Sequence, residues 1–211
     1  FLREENLEAL AQAIDRGKAL PWPHVPKEGD TIWMGAADRN GITVSFIQSI
    51  YWEFGSGIVL NDTGIQWQNR GASFALQDGA TTALEPGRKP FHTLNPALAH
   101  LNDGRVMSYG TMGGEGQPQT QAAVFSRYAM LDRELQESIT APRWLLGRTW
   151  GEESTNLKIE SRVDPQVIND LKSAGHDVEV VAPFTEMMGH AGAVVVHPDG
   201  VMEGATDPRS D

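Results

Sequence analysis

The residue with the clearest potential for chemistry is Thr31, which stands where the proline-rich run PWPHVPKEGD meets the strand-like run TIWMGAA. A threonine hydroxyl is a competent nucleophile when the same residue carries a free α-amino group, because a neutral amine can accept the hydroxyl proton. That arrangement requires a cut of the Asp30–Thr31 bond, and an exposed linker is a common place for a cut. Threonine is also an ordinary strand residue, so the residue types alone leave a structural role open.

A second candidate feature is the sequence GTMGG, which spans Gly110 to Gly114 and follows a predicted buried strand. Consecutive glycines let backbone N–H groups approach a ligand oxygen without a Cβ atom in the way. Two such N–H groups can form an oxyanion hole, which stabilises the negative oxygen of a tetrahedral intermediate. The same glycines are also compatible with a simple turn.

Other common catalytic chemistries lack their motifs in this chain. There is no cysteine, and the G-x-S-x-G, H-E-x-x-H, phosphate-loop and dinucleotide-binding patterns are absent. The six histidines are not spaced as metal ligands; they are His24, His92, His100, His176, His190 and His197. We therefore expect neither a metal nor a cofactor.

The composition is that of an ordinary globular chain of 211 residues, with 40% hydrophobic and 21% charged residues. The formal net charge of −11 argues against a nucleic-acid partner, since binding to phosphates usually depends on clustered Lys and Arg. No long apolar run is present, so we expect no membrane-spanning segment. The sequence starts without Met and without a signal-peptide pattern, which indicates a piece of a longer product. The sequence does not fix the compartment; a cytoplasmic location is favoured, and periplasmic or secreted locations stay open.

The elements that would position Thr31 are predicted from periodicity and turn residues. A helix is predicted around residues 7–14, followed by a linker from Pro21 to Asp30. The pair Asn40-Gly41 predicts a hairpin with a type I′ turn, in which residues 31–37 pair with residues 42–51. Thr31 would then begin a strand, which would hold a new terminus rigidly.

The rest of the chain mixes loops, strands and helices. RVMSYGTMGGEG predicts a buried strand that runs into a glycine-rich turn, and QTQAAVFSRYAMLDRELQESI predicts a helix. A further helix over PQVINDLKSAG should end at Gly175, and the strands DVEVVA, AGAVVVH and VMEGAT follow it. This order predicts an α+β fold with a largely antiparallel sheet.

Six motifs follow one another along the chain: GDTIWMGAADRNGITVSFIQSIY, FGSGIVLNDTGIQWQNRGASF, PGRKPFHTLNPAL, GTMGGEGQPQTQ, APRW and GATDPRSD. In this order they closely resemble the small subunit of the γ-glutamyltransferase family, whose members are N-terminal nucleophile hydrolases. The resemblance covers residues 31–211, the small catalytic subunit, while residues 1–30 resemble the tail of the large subunit and the linker before the cut. It implies a four-layer αββα sandwich, of which this chain would supply one half.

The resemblance also implies roles for individual residues. It makes Asp30–Thr31 the bond at which the precursor cuts itself, and Thr31 the nucleophile and new N-terminus. Ser49 falls where the family has a second hydroxyl residue that hydrogen-bonds the nucleophile, and Gly113 and Gly114 fall at the oxyanion-hole pair. The implied partner is the large subunit of the same precursor, in a heterodimer or a dimer of heterodimers.

The implied substrate-binding positions depart from the family pattern. Ser73 stands where the γ-glutamyl enzymes have an aspartate for the substrate's α-ammonium group, and a serine cannot replace that charge. His92 and Thr93 stand where the family has a pair of serines. A carboxylate on the substrate would need a cation, to which Arg70 or His92 could contribute.

These departures, with the runs ALPWPH, WQNRG and APRWLLGRTWG, are similar to the branch of the family that contains oxamate amidohydrolase. We therefore expect a self-processing amide hydrolase that acts on a small acid amide such as oxamate and releases ammonia. The alternatives are a γ-glutamyl hydrolase or transferase, a glutaryl or cephalosporin acylase, and a non-catalytic binding relative that never cuts itself.

Overall fold

The computed structural model describes residues 31–149 and 154–210, together with residues 8 and 12. The remainder of the predicted N-terminal helix and the whole linker from Pro21 to Asp30 lie outside the described residues. Of the two residues at the predicted cut, Asp30 and Thr31, the structure therefore describes only Thr31.

Strands and helices follow one another along residues 31–149 and 154–210. The strands are β1 (Ile32–Ala37), β2 (Thr43–Gln48), β3 (Ala97–His100), β4 (Val106–Thr111), β5 (Trp144–Leu146), β6 (Leu157–Glu160), β7 (Val178–Val181), β8 (Ala191–Val196) and β9 (Met202–Thr206). The helices are α1 (Gln117–Phe125), α2 (Leu135–Thr140) and α3 (Pro165–Ser173).

These strands form three sheets. β1 and β2 form an antiparallel hairpin, four strands form a sheet in the order β3-β4-β8-β9, and the third sheet has the order β5-β6-β7. Of the strand pairs in the described part of the chain, only β6 and β7 run parallel. The predicted α+β class with a largely antiparallel arrangement is confirmed.

The four-stranded sheet lies between the hairpin and two of the helices. On β4, Ser108 faces the hairpin and donates a hydrogen bond to the Val44 carbonyl at 2.8 Å, while Met107 faces α1 and α2. The core on the helix side is fully apolar in its centre, with Met107, Val124, Leu135, Ile139, Ala193 and Val195 buried. The outer face of the hairpin is half-exposed although its side chains are apolar; they are Ile32, Met34, Val44 and Phe46.

The predicted type I′ turn at Asn40-Gly41 is wrong. The loop has three residues, 39–41, closed by a hydrogen bond from the Asp38 N–H to the Ile42 carbonyl at 2.9 Å. Only Gly41 has a positive φ, of 86°, whereas a type I′ turn needs positive φ at both central residues. The Asp38 carboxylate stabilises this alternative, because it accepts hydrogen bonds from the backbone N–H groups of Asn40 and Ile42.

The single helix predicted over residues 119–139 is interrupted. α1 runs into a π-helical turn at Ser126–Met130, Asp132 has a φ of 52°, and α2 begins only at Leu135. Both helices bury apolar side chains against the same sheet, so the apolar periodicity continues across the break. The helix predicted to end at Gly175 is confirmed as α3, which is followed by Gly175 at a φ of 95°.

The indole of Trp33 separates the hairpin from the four-stranded sheet and rests on three glycines from three strands. A Cβ atom added to Gly35, Gly110 or Gly192 would lie 2.5, 2.1 or 2.6 Å from the Trp33 ring. The indole N–H donates to Ser45 Oγ at 3.0 Å, which fixes the ring in its plane. Since only glycine leaves room for the ring, this packing fixes the distance between the two layers.

We expect Gly110→Ala to lower the free energy of unfolding of the full-length protein by about 1–3 kcal/mol, because the added methyl group overpacks the Trp33 ring. Gly204→Ala is the matched control on β9, where an added Cβ meets nothing within 4 Å. We expect that control to change the free energy by no more than about 0.5 kcal/mol. Urea unfolding measures both, and equal effects would contradict the role assigned to Trp33.

Candidate active site

The site is built around two hydroxyl groups at the open end of the hairpin. Ile32 is paired with Gln48 in the antiparallel register, so Thr31 and Ser49 lie opposite each other just beyond the ladder. Thr31 Oγ1 donates a hydrogen bond to Ser49 Oγ at 2.8 Å. Ser49 Oγ also accepts from the Tyr51 N–H at 2.8 Å, and Tyr51 has the left-handed φ of 78°. The Ser49 hydroxyl is thus oriented by the backbone and by Thr31 together.

Thr31 lines a cleft of about 370 Å³. A volume of this size lies near the lower end of small-molecule sites. The other lining residues come from several loops: Tyr51, Trp52, Arg70, Phe91, Thr93, Gly114, Glu115, Arg148 and Thr149. Three sequence-predicted positions, Arg70, Thr93 and Gly114, therefore share one cleft with Thr31.

Arg70 begins the 3₁₀ turn Arg70–Ser73 and is only 2% exposed. Its guanidinium lies over the Tyr51 ring, 3.6 Å from the ring centroid, and its Nη2 donates to Thr93 Oγ1 at 3.1 Å. Nε and Nη1 are buried and have no hydrogen-bond partner in the described part of the chain. Burial lowers the pKa of Arg70. An arginine nevertheless keeps its charge at neutral pH.

The other two predicted substrate-binding residues are not among those that line this cleft. Ser73 ends the 3₁₀ turn and is partly buried. His92 is exposed, and its Nδ1 accepts a hydrogen bond from the Leu94 N–H at 3.3 Å. Partial desolvation of the ring, together with the positive charge of Arg70, lowers the pKa of His92, which favours a neutral imidazole at pH 7.

The predicted oxyanion-hole pair, Gly113 and Gly114, follows the end of β4 after one intervening residue, Met112. Gly113 has a φ of 127° and Gly114 a φ of 50°, both in the region that favours glycine. A Cβ atom on Gly114 would lie 2.5 Å from the Thr149 carbonyl oxygen, so this position has no room for a side chain. A third glycine, Gly189, packs behind the turn: a Cβ there would lie 2.6 Å from the Met112 carbonyl oxygen.

A buried cluster of charges lies behind Gly189. Arg143 Nη2 lies 2.6 Å from Asp207 Oδ2, and Arg209 bridges Asp207 at 2.9 Å and Glu160 at 2.7 Å, with all four side chains almost completely buried. Arg143 Nη1 donates to the Gly189 carbonyl at 3.0 Å. Burial lowers the pKa of Arg143 to about 10, which leaves the guanidinium charged at neutral pH. The motifs APRW and GATDPRSD therefore meet here as a structural support for the glycine turn.

Several residues of the cleft were not predicted from the sequence; they are Tyr51, Trp52, Phe91, Glu115, Arg148 and Thr149. Tyr51 and Trp52 lie two and three residues after Ser49, and Phe91 precedes His92, so the sequence signal for these residues was their closeness to predicted positions. Arg148 and Thr149 belong to the run APRWLLGRTWG, but nothing in that run placed them at the cleft, because a loop far along the chain brings them there. Arg148 Nη2 lies 3.8 Å from Glu115 Oε1.

Comparison with known proteins gives the family. A family model described as gamma-glutamyltranspeptidase matches residues 1–211, the whole chain. The chain belongs to the γ-glutamyltranspeptidase family. The resemblance found in the six sequence motifs is therefore confirmed.

Two curated relatives of this family member are proenzymes. It is 62% identical over 211 residues to the oxamate amidohydrolase proenzyme of Klebsiella pneumoniae, a match that covers 100% of the chain and 40% of the relative. It is 45% identical over 193 residues to the glutathione hydrolase-like YwrD proenzyme of Bacillus subtilis, covering 92% of the chain and 37% of the relative. The chain thus spans about two-fifths of the length of these relatives.

A solved structure agrees with the fold. The cephalosporin acylase of Bacillus halodurans superposes with a TM-score of 0.69 at 30% identity, over 99% of this chain and 37% of that chain. With the family membership, this similarity confirms the predicted N-terminal nucleophile hydrolase fold. The hairpin, the four-stranded sheet and the α1–α2 layer form the ββα part of the αββα sandwich.

Two further observations concern the described residues only. They contain no group of three or more His, Asp or Glu side chains placed to hold a metal ion. They also contain no helix with the length and apolar character needed to cross a membrane.

We expect Asp207→Asn to lower the free energy of unfolding by about 3–5 kcal/mol, because it leaves Arg143 and Arg209 buried without their shared carboxylate. Asp103→Asn is the matched control, since Asp103 pairs with Arg105 at 2.7 Å but is 52% exposed. An exposed pair contributes about 0–1 kcal/mol. Urea unfolding compares the two variants, and similar losses would contradict the importance of the buried cluster.

Proposed function

We propose that this chain contains the catalytic part of a self-processing amide hydrolase with Thr31 as its nucleophile. The observation that carries the proposal is the hydrogen bond from Thr31 Oγ1 to Ser49 Oγ at 2.8 Å, beside Gly114 in a single cleft. A hydroxyl held by a second hydroxyl, next to a turn of glycines, provides a nucleophile and donors for an oxyanion. The proenzyme relatives support the self-processing part.

The maturation step hydrolyses the Asp30–Thr31 peptide bond. Before the cut, the Thr31 nitrogen belongs to an amide and cannot accept a proton. Thr31 Oγ1 attacks the Asp30 carbonyl carbon, and the C–N bond breaks while the hydroxyl proton passes to the Thr31 nitrogen. Water then hydrolyses the ester that results, which gives the Asp30 carboxyl group and leaves Thr31 with a free hydroxyl and a free α-amine. We propose residues 1–30 as the tail of the large subunit with its linker, and residues 31–211 as the small subunit.

In turnover, Thr31 Oγ1 attacks the amide carbon of the substrate while the α-amine takes the hydroxyl proton. The C–N bond of the substrate then breaks, the proton passes to the leaving nitrogen, and ammonia departs from an ester on Thr31. Water adds to the ester carbon and gives a proton to the α-amine. The C–Oγ1 bond then breaks, the acid departs, and the amine returns the proton to Oγ1, which restores the Thr31 hydroxyl. The N–H groups of Gly113 and Gly114 stabilise the negative oxygen of both tetrahedral intermediates.

We propose a small acid amide such as oxamate as the substrate. The cleft of about 370 Å³ suits a small ligand, and the relative at 62% identity is named for oxamate. Ser73 supplies no negative charge at the position where γ-glutamyl enzymes hold an ammonium group. A buried ammonium without a paired anion is unfavourable, so this position disfavours γ-glutamyl compounds.

The partner we propose is the large subunit of the same precursor. The chain spans 40% of its oxamate amidohydrolase relative, and the outer face of the hairpin carries four exposed apolar side chains, including Met34 and Phe46. A wider opening of about 680 Å³ lies beside β1; Thr31 lines this opening as well, together with residues of β1, β8 and β9. Exposed apolar surface of this kind is typical of a face that another element covers.

We expect Thr31→Ala to abolish both the cut at Asp30–Thr31 and the release of ammonia from oxamate, because no hydroxyl remains to attack either carbonyl. Thr31→Ser keeps the hydroxyl and should still mature. Intact mass spectrometry of the full-length protein and an ammonia assay measure the two outcomes. A correctly cut and active Thr31→Ala protein would overturn the mechanism.

We expect Ser49→Ala to slow both maturation and oxamate turnover by about 10- to 100-fold, since the hydroxyl of Thr31 and the N–H of Tyr51 lose their shared acceptor. Ser56→Ala is the control, because Ser56 lies in an exposed loop, where its Oγ donates to the Trp67 carbonyl and accepts from the Ile58 N–H. The rate at which the Thr31 terminus appears, and kcat/KM for oxamate, give the comparison. Identical rates for the two variants would argue against a role for Ser49.

The substrate class is tested with the matured wild-type protein. Oxamate, a γ-glutamyl anilide and a glutaryl amide are compared by kcat/KM, and we expect oxamate to be preferred. Preference for the anilide would instead favour a γ-glutamyl hydrolase or transferase. Preference for the glutaryl amide would favour an acylase.

A further inference from the structure

We propose that Arg70, held between Tyr51 and Thr93, binds the carboxylate of the substrate and makes the enzyme selective for anionic amides. The proposal rests on the proposed function and deepens it, because it names the group of the substrate that is recognised. It assigns that recognition to the small subunit itself.

The first observation is a buried cation without an anion. Arg70 is 2% exposed, and no ion pair joins it to a carboxylate within residues 31–149 and 154–210. A buried charge without a partner is strongly unfavourable, so proteins normally pair it or neutralise it. An anionic ligand in the adjoining cleft would supply the missing charge.

The second observation is the geometry of the unused donors. Arginine has five N–H donors, and Thr93 Oγ1 accepts from Nη2 at 3.1 Å. Nε and Nη1 are left without partners, and the Tyr51 ring covers one face of the guanidinium at 3.6 Å. The ring and the threonine hold the planar group in place, so its hydrogens are oriented before a ligand arrives. Oriented guanidinium donors match a carboxylate well.

The two arginines that line the cleft, Arg70 and Arg148, differ in the charges around them. Arg148 Nη2 lies 3.8 Å from the Glu115 carboxylate, so the protein itself already places a negative charge beside this arginine. No carboxylate of the described residues forms an ion pair with Arg70, and the lowered pKa of the nearby His92 favours a neutral ring that adds no second positive charge. The positive potential in this part of the cleft is therefore centred on Arg70.

Tyr51 connects the anion site with the nucleophile. Its N–H donates to Ser49 Oγ at 2.8 Å, and Ser49 accepts from Thr31, while its ring stacks on Arg70. A carboxylate held by Arg70 thus lies at a fixed offset from the Thr31 hydroxyl. In an oxamate-like substrate the amide carbon is bonded directly to the carboxylate, so holding one positions the other.

The test uses the full-length precursor, matured before assay, with the variants Arg70→Met and Arg70→Lys. Arg133→Met is the control, since Arg133 is a surface arginine paired with Glu137 at 2.6 Å. The probes are oxalate, which has the charge but no amide, and oxamide, the uncharged counterpart of oxamate. Binding of oxalate is measured by calorimetry, and hydrolysis of oxamate and oxamide by release of ammonia.

We expect Arg70→Met to mature normally, to weaken oxalate binding about 10- to 100-fold, and to lose the preference for oxamate over oxamide. Arg70→Lys should retain part of both, because it keeps the charge and loses the planar donors. Arg133→Met should match wild type. Unchanged oxalate binding in Arg70→Met, or failure of both Arg70 variants to mature, would overturn the proposal in favour of a structural role.

The two proposals fail in different ways. If wild type binds oxalate through Arg70 but hydrolyses none of the amides, the proposed function is wrong while the anion site stands. If wild type hydrolyses oxamate and Arg70→Met does so equally well, the amide hydrolase stands and the anion site is wrong.

Discussion

The packing of one indole on three glycines determines where the residues of the candidate site lie. Trp33 is two residues beyond Thr31, Gly110 is three residues before Gly113, and Gly192 is three residues beyond Gly189. The contact therefore joins the strand that follows Thr31 to the two segments that shape the glycine turn. Because an added methyl group would come within 2.6 Å of the ring at each glycine, the layers have only one spacing. Thr31 and Gly114 can then share one cleft.

The buried charges support this arrangement from the other side. Arg143 donates to the carbonyls of Met188 and Gly189, and Asp207 accepts from the Ala191 N–H at 2.7 Å. The cluster thereby fixes the segment that packs against the glycine turn. Buried ion pairs add little net stability compared with apolar packing, but they tolerate few alternative geometries. Their use here is consistent with a need to hold backbone atoms in defined positions.

The sequence was sufficient for the fold class, the family and the main strands, because these follow from periodicity and from long motifs. It was insufficient for the register of the hairpin. A two-residue turn at Asn40-Gly41 would have placed Ile50 opposite Thr31, whereas the three-residue loop places Ser49 there. The break between α1 and α2 could not be predicted from periodicity, because both helices bury their apolar side chains against the same sheet. Arg148 could not be placed, since only tertiary folding brings its loop to the cleft.

The exposed apolar face of the hairpin bears on the order in which the protein assembles and is cut. Two strands with Ile32, Met34, Val44 and Phe46 open to water are a poor folding unit by themselves. If the Asp30–Thr31 bond is cut only after that face is covered, the covalent tether is present during assembly and absent ever after. The two subunits would then stay together because they separate slowly. Once separated, they would reassociate poorly, because the tether that gave them a high effective concentration is gone.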